Sequence, residues 1–78
     1  MSTVTLLLKT GRYVVEEEPG TKVRKFIIRD GQGTIVKEKE FDDSRNAQLY
    51  REIIKEIDRV VSDQQKDNLI EEYLMKVR

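Results

Sequence analysis

With no His and no Cys among 78 residues, acid–base or nucleophilic chemistry in this chain would rest on carboxylates, hydroxyls and lysines. Ser2, Ser44 and Ser62 stand in no pattern that pairs a hydroxyl with an activating base. Glu16-Glu17-Glu18 and Asp42-Asp43 are carboxylate runs. They offer oxygen ligands to a divalent cation but lack the spacing of a Ca²⁺ loop. Asp30-Gly31-Gln32-Gly33 has the glycines of a phosphate loop, yet a strand follows it where phosphate binding uses a helix N-terminus. These residues predict no enzyme, no metal and no cofactor.

Basic residues are the second candidate set. Lys9, Arg12, Lys22, Arg24, Lys25, Arg29, Lys37 and Lys39 interleave with Phe26 and Phe41. On a sheet they would form a groove in which bases stack while Lys and Arg track phosphates. Glu16, Glu17, Glu18, Glu38 and Glu40 share that sheet and dilute its field, and Lys and Arg are also ordinary guards of strand edges. Fifteen basic residues balance fifteen acidic ones over the chain. Residues 1–41 carry +2 and residues 42–78 carry −2. A dedicated nucleic-acid binder is usually more basic.

Three turn signals organise the first half: Thr10-Gly11, Pro19-Gly20 and Asp30-Gly31-Gln32-Gly33. Pro19-Gly20 suits the two central positions of a type II turn. Runs rich in β-branched and aromatic residues flank these turns, including Tyr13-Val14-Val15 and Lys25-Phe26-Ile27-Ile28. Short connections join antiparallel neighbours, so residues 3–41 read as a four-stranded meander. Asp42-Asp43-Ser44 marks a helix start. Ala47, Tyr50, Ile53, Ile54, Ile57, Val60 and Val61 then recur at helical spacing. Ser62 with Gln65 reads as a capping box, and Leu69, Ile70, Tyr73, Leu74 and Val77 resume out of phase. The spacing predicts helices over 44–61 and 63–77, with one long kinked helix as the alternative. The fold class is α+β, a single domain over residues 1–78.

Strand parity assigns the faces. A two-residue turn at Thr10-Gly11 sets Lys9 opposite Arg12, Leu8 opposite Tyr13, Leu7 opposite Val14 and Leu6 opposite Val15. Val4, Leu6, Leu8, Tyr13 and Val15 then make the core face. With Arg29 opposite Thr34, Ile28 pairs with Ile35, Ile27 with Val36, Phe26 with Lys37 and Lys25 with Glu38. A slip of one residue would instead oppose Lys25 to Lys37, and a β-bulge gives the same ambiguity. In the favoured register Leu7, Val14, Ile27 and Val36 form an apolar row on the second face. Such a row inside a charged rim marks an interaction site, filled by the chain's own helix, a second copy or a foreign partner.

A chain this short buries a thin core and has no disulfide to staple it, which favours a homodimer. A charged share of 38% with Val- and Ile-rich strands matches heat-adapted compositions. No apolar stretch approaches a membrane span or a secretory leader, so a cytoplasmic, membrane-free protein is expected. The order of four antiparallel strands and a helix is similar to that of single-stranded nucleic-acid-binding modules such as the Pur-repeat fold, which typically dimerise. That likeness lies in element order alone. The expected function is a small non-catalytic interaction module that dimerises and binds a protein partner through its sheet face or helices. Single-stranded nucleic-acid binding is the alternative.

Overall fold

The computed structural model describes residues 4–20 and 23–76. Strands β1 (Thr5–Lys9), β2 (Tyr13–Pro19), β3 (Arg24–Asp30) and β4 (Ile35–Phe41) form one antiparallel sheet in the order β1-β2-β3-β4. Helix α1 (Ser44–Asp58) and helix α2 (Asp63–Leu69) follow, and a π-helical stretch over Ile70–Leu74 prolongs α2. The chain is the α+β meander with two helices that the turn and cap signals describe. Thr3 and Val77, where the outer bounds were expected, lie outside the described residues.

Both outer hairpins differ in register from the expectation, for a local reason in each case. At the first turn the Thr10 backbone N–H donates to the Tyr13 carbonyl at 2.9 Å, and the Thr10 hydroxyl accepts from the Tyr13 N–H at 3.1 Å. This wider turn sets Lys9 opposite Val14 and Leu8 opposite Val15, not opposite Arg12 and Tyr13. The shift is two residues, so parity near the turn is kept and Leu8 and Val15 share the core face. A β-bulge at Leu7 then reverses parity, placing Leu6 opposite Glu16 and Thr5 opposite Glu17. Leu6 and Val4, expected in the core, are consequently exposed, while Leu7 packs against it.

In the last hairpin Asp30 organises the turn. Its N–H donates to the Thr34 carbonyl, and its carboxylate accepts the N–H groups of Gln32 and Thr34 at 2.9 and 3.0 Å. Gly33 takes φ +87°, a left-handed conformation that a side chain resists. Arg29 therefore opposes Ile35 rather than Thr34, and a bulge at Val36 completes a two-residue offset. Ile28 opposes Lys37, Ile27 opposes Glu38, Phe26 opposes Lys39 and Lys25 opposes Glu40. In the middle hairpin Pro19 ends β2 opposite Arg24, so it stands in the ladder and not at the turn centre. Thr21 and Lys22 lie outside the described residues.

Asp43 is the cap of α1, its carboxylate accepting the Arg45 N–H at 2.8 Å. The helix stops at Asp58, not at residue 61. Arg59 and Val60 close it with N–H bonds to Glu56 and Ile57, three residues back. The β-branched Val60-Val61 pair is a poor continuation, and Ser62 caps the next helix by accepting the Gln65 N–H at 3.5 Å.

Both helices pack on one face of the sheet. Leu8, Val15, Phe26 and Ile28 from the strands meet Ala47, Tyr50, Ile54, Ile57, Ile70 and Leu74 from the helical layer. Phe26, Phe41 and Tyr50 form an aromatic corner with centroids 4.8 to 5.8 Å apart. Ile53, Tyr73 and Val61, expected on the buried helical face, are instead exposed.

Candidate interaction surface

The four residues expected to form an apolar row on the second face do not form one. Leu7 is turned inward by its bulge, and Val36 sits in the bulge of β4. Val14 is half-buried opposite Arg29, and Ile27 retains only 4% of its surface. No described helix lies on this face, so the burial of Ile27 has a different cause. Glu16 and Glu38 oppose it directly across the ladder, and Lys25 and Arg29 flank it on its own strand. Arg29 Nε pairs with Glu16 at 2.9 Å and Lys25 Nζ with Glu38 at 3.3 Å. The Lys25–Glu38 pair is diagonal, not directly opposed as expected. The hydrocarbon stems of these four side chains surround Ile27 and shield it from water. These ion pairs cover the centre of the second face, and Leu6 stays exposed at its β1 edge.

The basic candidates are distributed rather than gathered into a groove. Arg24 joins Arg51 of α1 on the Glu17 carboxylate, at 2.9 and 2.7 Å. Burial by itself would raise the Glu17 pKa, but the hydrogen bonds and charges of Arg51 and Arg24 outweigh it and hold the carboxyl below its ordinary value. Arg12 pairs with Asp67 and Glu71 at 3.5 and 3.1 Å. Lys37 donates to the Met75 carbonyl at 3.1 Å, and the Lys39 ammonium stands 5.5 Å from the Phe41 ring centroid. Lys9 is exposed, and Lys22 lies outside the described residues. Phe26, expected to stack on bases, is fully buried in the core because β3 turns it toward α1. Of the carboxylate run, Glu16 and Glu17 point to opposite faces and each holds arginine, and no three described carboxylates converge on a metal-sized site.

At the first turn, the Thr10 hydroxyl and the Arg12 N–H both donate to the buried Asp67 carboxylate of α2. Alongside, the Tyr13 hydroxyl donates to Glu71 at 2.6 Å, and this hydrogen bond, with burial and the Glu71 charge, raises the Tyr13 pKa. These groups satisfy one another and latch the β1–β2 hairpin to α2.

Exposed apolar side chains also gather on the helical layer. Leu49, Ile53 and Tyr73 are 52%, 38% and 51% exposed, and Val61 is 98% exposed. Ile53, Ile57, Leu69 and Tyr73, with Glu56, line an apolar groove of about 260 Å³ between α1 and α2. Ile53 and Glu56 also border a shallow depression of about 670 Å³ along α1, shared with Leu49, Glu52, Lys55 and Arg59. The sequence pattern places Ile53 and Tyr73 with the core set and does not mark Leu49, so this surface is not legible from spacing alone. A signal was present: Ala47, Tyr50, Ile54 and Ile57 already complete the buried stripe of α1. Leu49 and Ile53, one turn apart, widen the apolar arc beyond what one sheet covers.

Compared with known protein families, curated proteins and solved structures, the chain matches none.

Proposed function

We propose that this chain is a small non-catalytic interaction module that binds protein, a second copy included, through the outer surface of its helical layer. The observation that carries the reading is the run of exposed apolar side chains Leu49, Ile53 and Tyr73 around the α1–α2 groove, in a domain whose core is otherwise closed. A contiguous apolar patch rimmed by charge is the usual mark of a protein contact. The sheet is the weaker candidate because its ion pairs already seal Ile27. Single-stranded nucleic-acid binding loses one of its two aromatic candidates with Phe26 buried, and Arg12, Arg24, Lys25 and Arg29 are engaged by carboxylates.

The test combines solution mass with titration of a fluorescent oligothymidylate across a salt series. The module reading expects association that Leu49→Glu weakens, and no oligonucleotide binding near physiological salt. Tight binding to the oligonucleotide that falls steeply with salt would overturn it, because phosphate contacts release counterions.

A further inference from the structure

The charge order along α1 identifies the partner more closely. Glu52, Lys55, Glu56 and Arg59 line the depression beside Leu49 and Ile53, two acidic and two basic groups with no net charge. Set against a second α1 in antiparallel register, with the two-fold axis beside Lys55 and Glu56, the four charges find opposite partners together. Glu52 comes opposite Arg59 of the second copy and Glu56 opposite its Lys55, and the symmetry repeats both pairs. The charges therefore make two antiparallel α1 helices complementary to each other, as flanking charges do in paired helices. Within one chain Glu56 pairs with Arg59 at 3.3 Å, and both side chains are more than two-thirds exposed. An exposed pair of this kind exchanges partners at little cost.

The sheet edges do not compete for this role. β1 is five residues long and bulged at Leu7. On β4 the ladder puts Lys37 and Lys39 on the helix side and Glu38 and Glu40 on the other. Antiparallel pairing of two β4 edges about a two-fold axis keeps each face together, so Lys would oppose Lys and Glu would oppose Glu. Both edges carry devices that discourage edge-to-edge pairing.

We infer that the chain forms an isologous dimer through antiparallel α1 helices, with Leu49 and Ile53 in the seam and Glu52–Arg59 and Glu56–Lys55 pairs across it. This inference rests on the helical layer being the binding face. α1 is about 22 Å long, and two such helices bury less than the ~800 Å² per partner of a standard interface. The dimer is therefore expected to be weaker than one with a standard interface.

The experiment is sedimentation of three proteins: the wild-type chain, the E52R/E56K variant and the K55E/R59E variant. All four substituted positions are exposed or rim positions, and circular dichroism confirms the fold. The wild type is expected to dimerise with rising concentration. Each variant alone, its α1 surface now of one sign, should associate at least about tenfold more weakly. An equimolar mixture of the two should form a heterodimer, a rescue that misfolded chains cannot produce. A wild-type dimer that both variants reproduce alone, or a mixture that forms no complex, overturns the α1 pairing and leaves protein binding by the helical layer standing. A wild type that stays monomeric into the high micromolar range overturns the dimer. Salt-steep oligonucleotide binding in the same samples overturns the wider reading with it.

Discussion

The Asp67 carboxylate accepts hydrogen bonds from the Thr10 hydroxyl and the Arg12 backbone N–H across more than fifty residues of chain, tying the first hairpin tip to α2. Asp67 is 6% exposed, so its charge is tolerated only because these donors and the Arg12 guanidinium surround it. Asp67→Ala strips the acceptor that holds the Thr10 hydroxyl proton and the Arg12 N–H. It is expected to cost about 2–3 kcal/mol, read from the urea midpoint at unchanged slope. Hydrogen exchange should quicken first in the Thr10–Tyr13 turn. Exchange that quickens in α1 instead would show that the latch does not hold the hairpin.

Glu17 predicts an acid-side loss of stability. Its folded-state pKa lies below the ordinary 4.5, so its contribution is complete above that value and is lost as pH falls through the lower, folded one. Wild-type stability should therefore drop as pH is lowered from about 4.5. Glu17→Gln, which leaves Arg24 and Arg51 without a charge to hold, should be less stable at neutral pH and flatter across the acid window. Parallel pH profiles of the two proteins would remove Glu17 from this role.

Tyr50 carries a buried hydroxyl with no hydrogen-bond partner among the described residues. Burial pushes its pKa up to about 12. A raised pKa means stability that is present below the unfolded value of 10 and is lost as pH rises through the folded one. Tyr13 is shifted in the same direction by Glu71 and adds to the alkaline loss. Tyr50→Phe deletes an unsatisfied polar atom while keeping the ring against Phe26 and Phe41. It is expected to be neutral or to stabilise by up to about 1 kcal/mol at pH 7, and to lessen the loss above pH 10. A thermal melt that falls by several degrees in the variant would mean that the hydroxyl has a partner after all.

Ile27 tests whether the second face is a core or a contact. Being buried beneath its own ion pairs, Ile27→Ala should destabilise the monomer by about 2–3 kcal/mol without changing the solution mass of the folded protein. Leu6→Ser, at a side chain 57% exposed on the same face, should change stability by less than about 0.5 kcal/mol. Loss of association from Ile27→Ala at full stability would restore the sheet as the binding face.

The sequence by itself determined the meander, the two helices and the break between them. Those features rest on interactions local in the chain: turn residues such as Asp30 and Gly33, the caps Asp43 and Ser62, and the 3.6-residue period of Ala47, Tyr50, Ile54 and Ile57. Strand parity also placed Leu8, Val15, Phe26 and Ile28 on the core face, because a register offset of two residues preserves which side a residue faces. Only the tertiary structure decided the bulges at Leu7 and Val36, and with them the fate of the expected apolar row. A bulge follows from how a hydroxyl or carboxylate closes a turn and how the sheet twists to meet its helices, and neither leaves a periodic mark. The same holds for the pairing of four basic candidates, Arg12, Arg24, Lys25 and Arg29, with carboxylates on other elements, and of Arg51 with Glu17. Composition counts charges, but only the packing of β2 against α1 and α2 decides which of them are already spoken for.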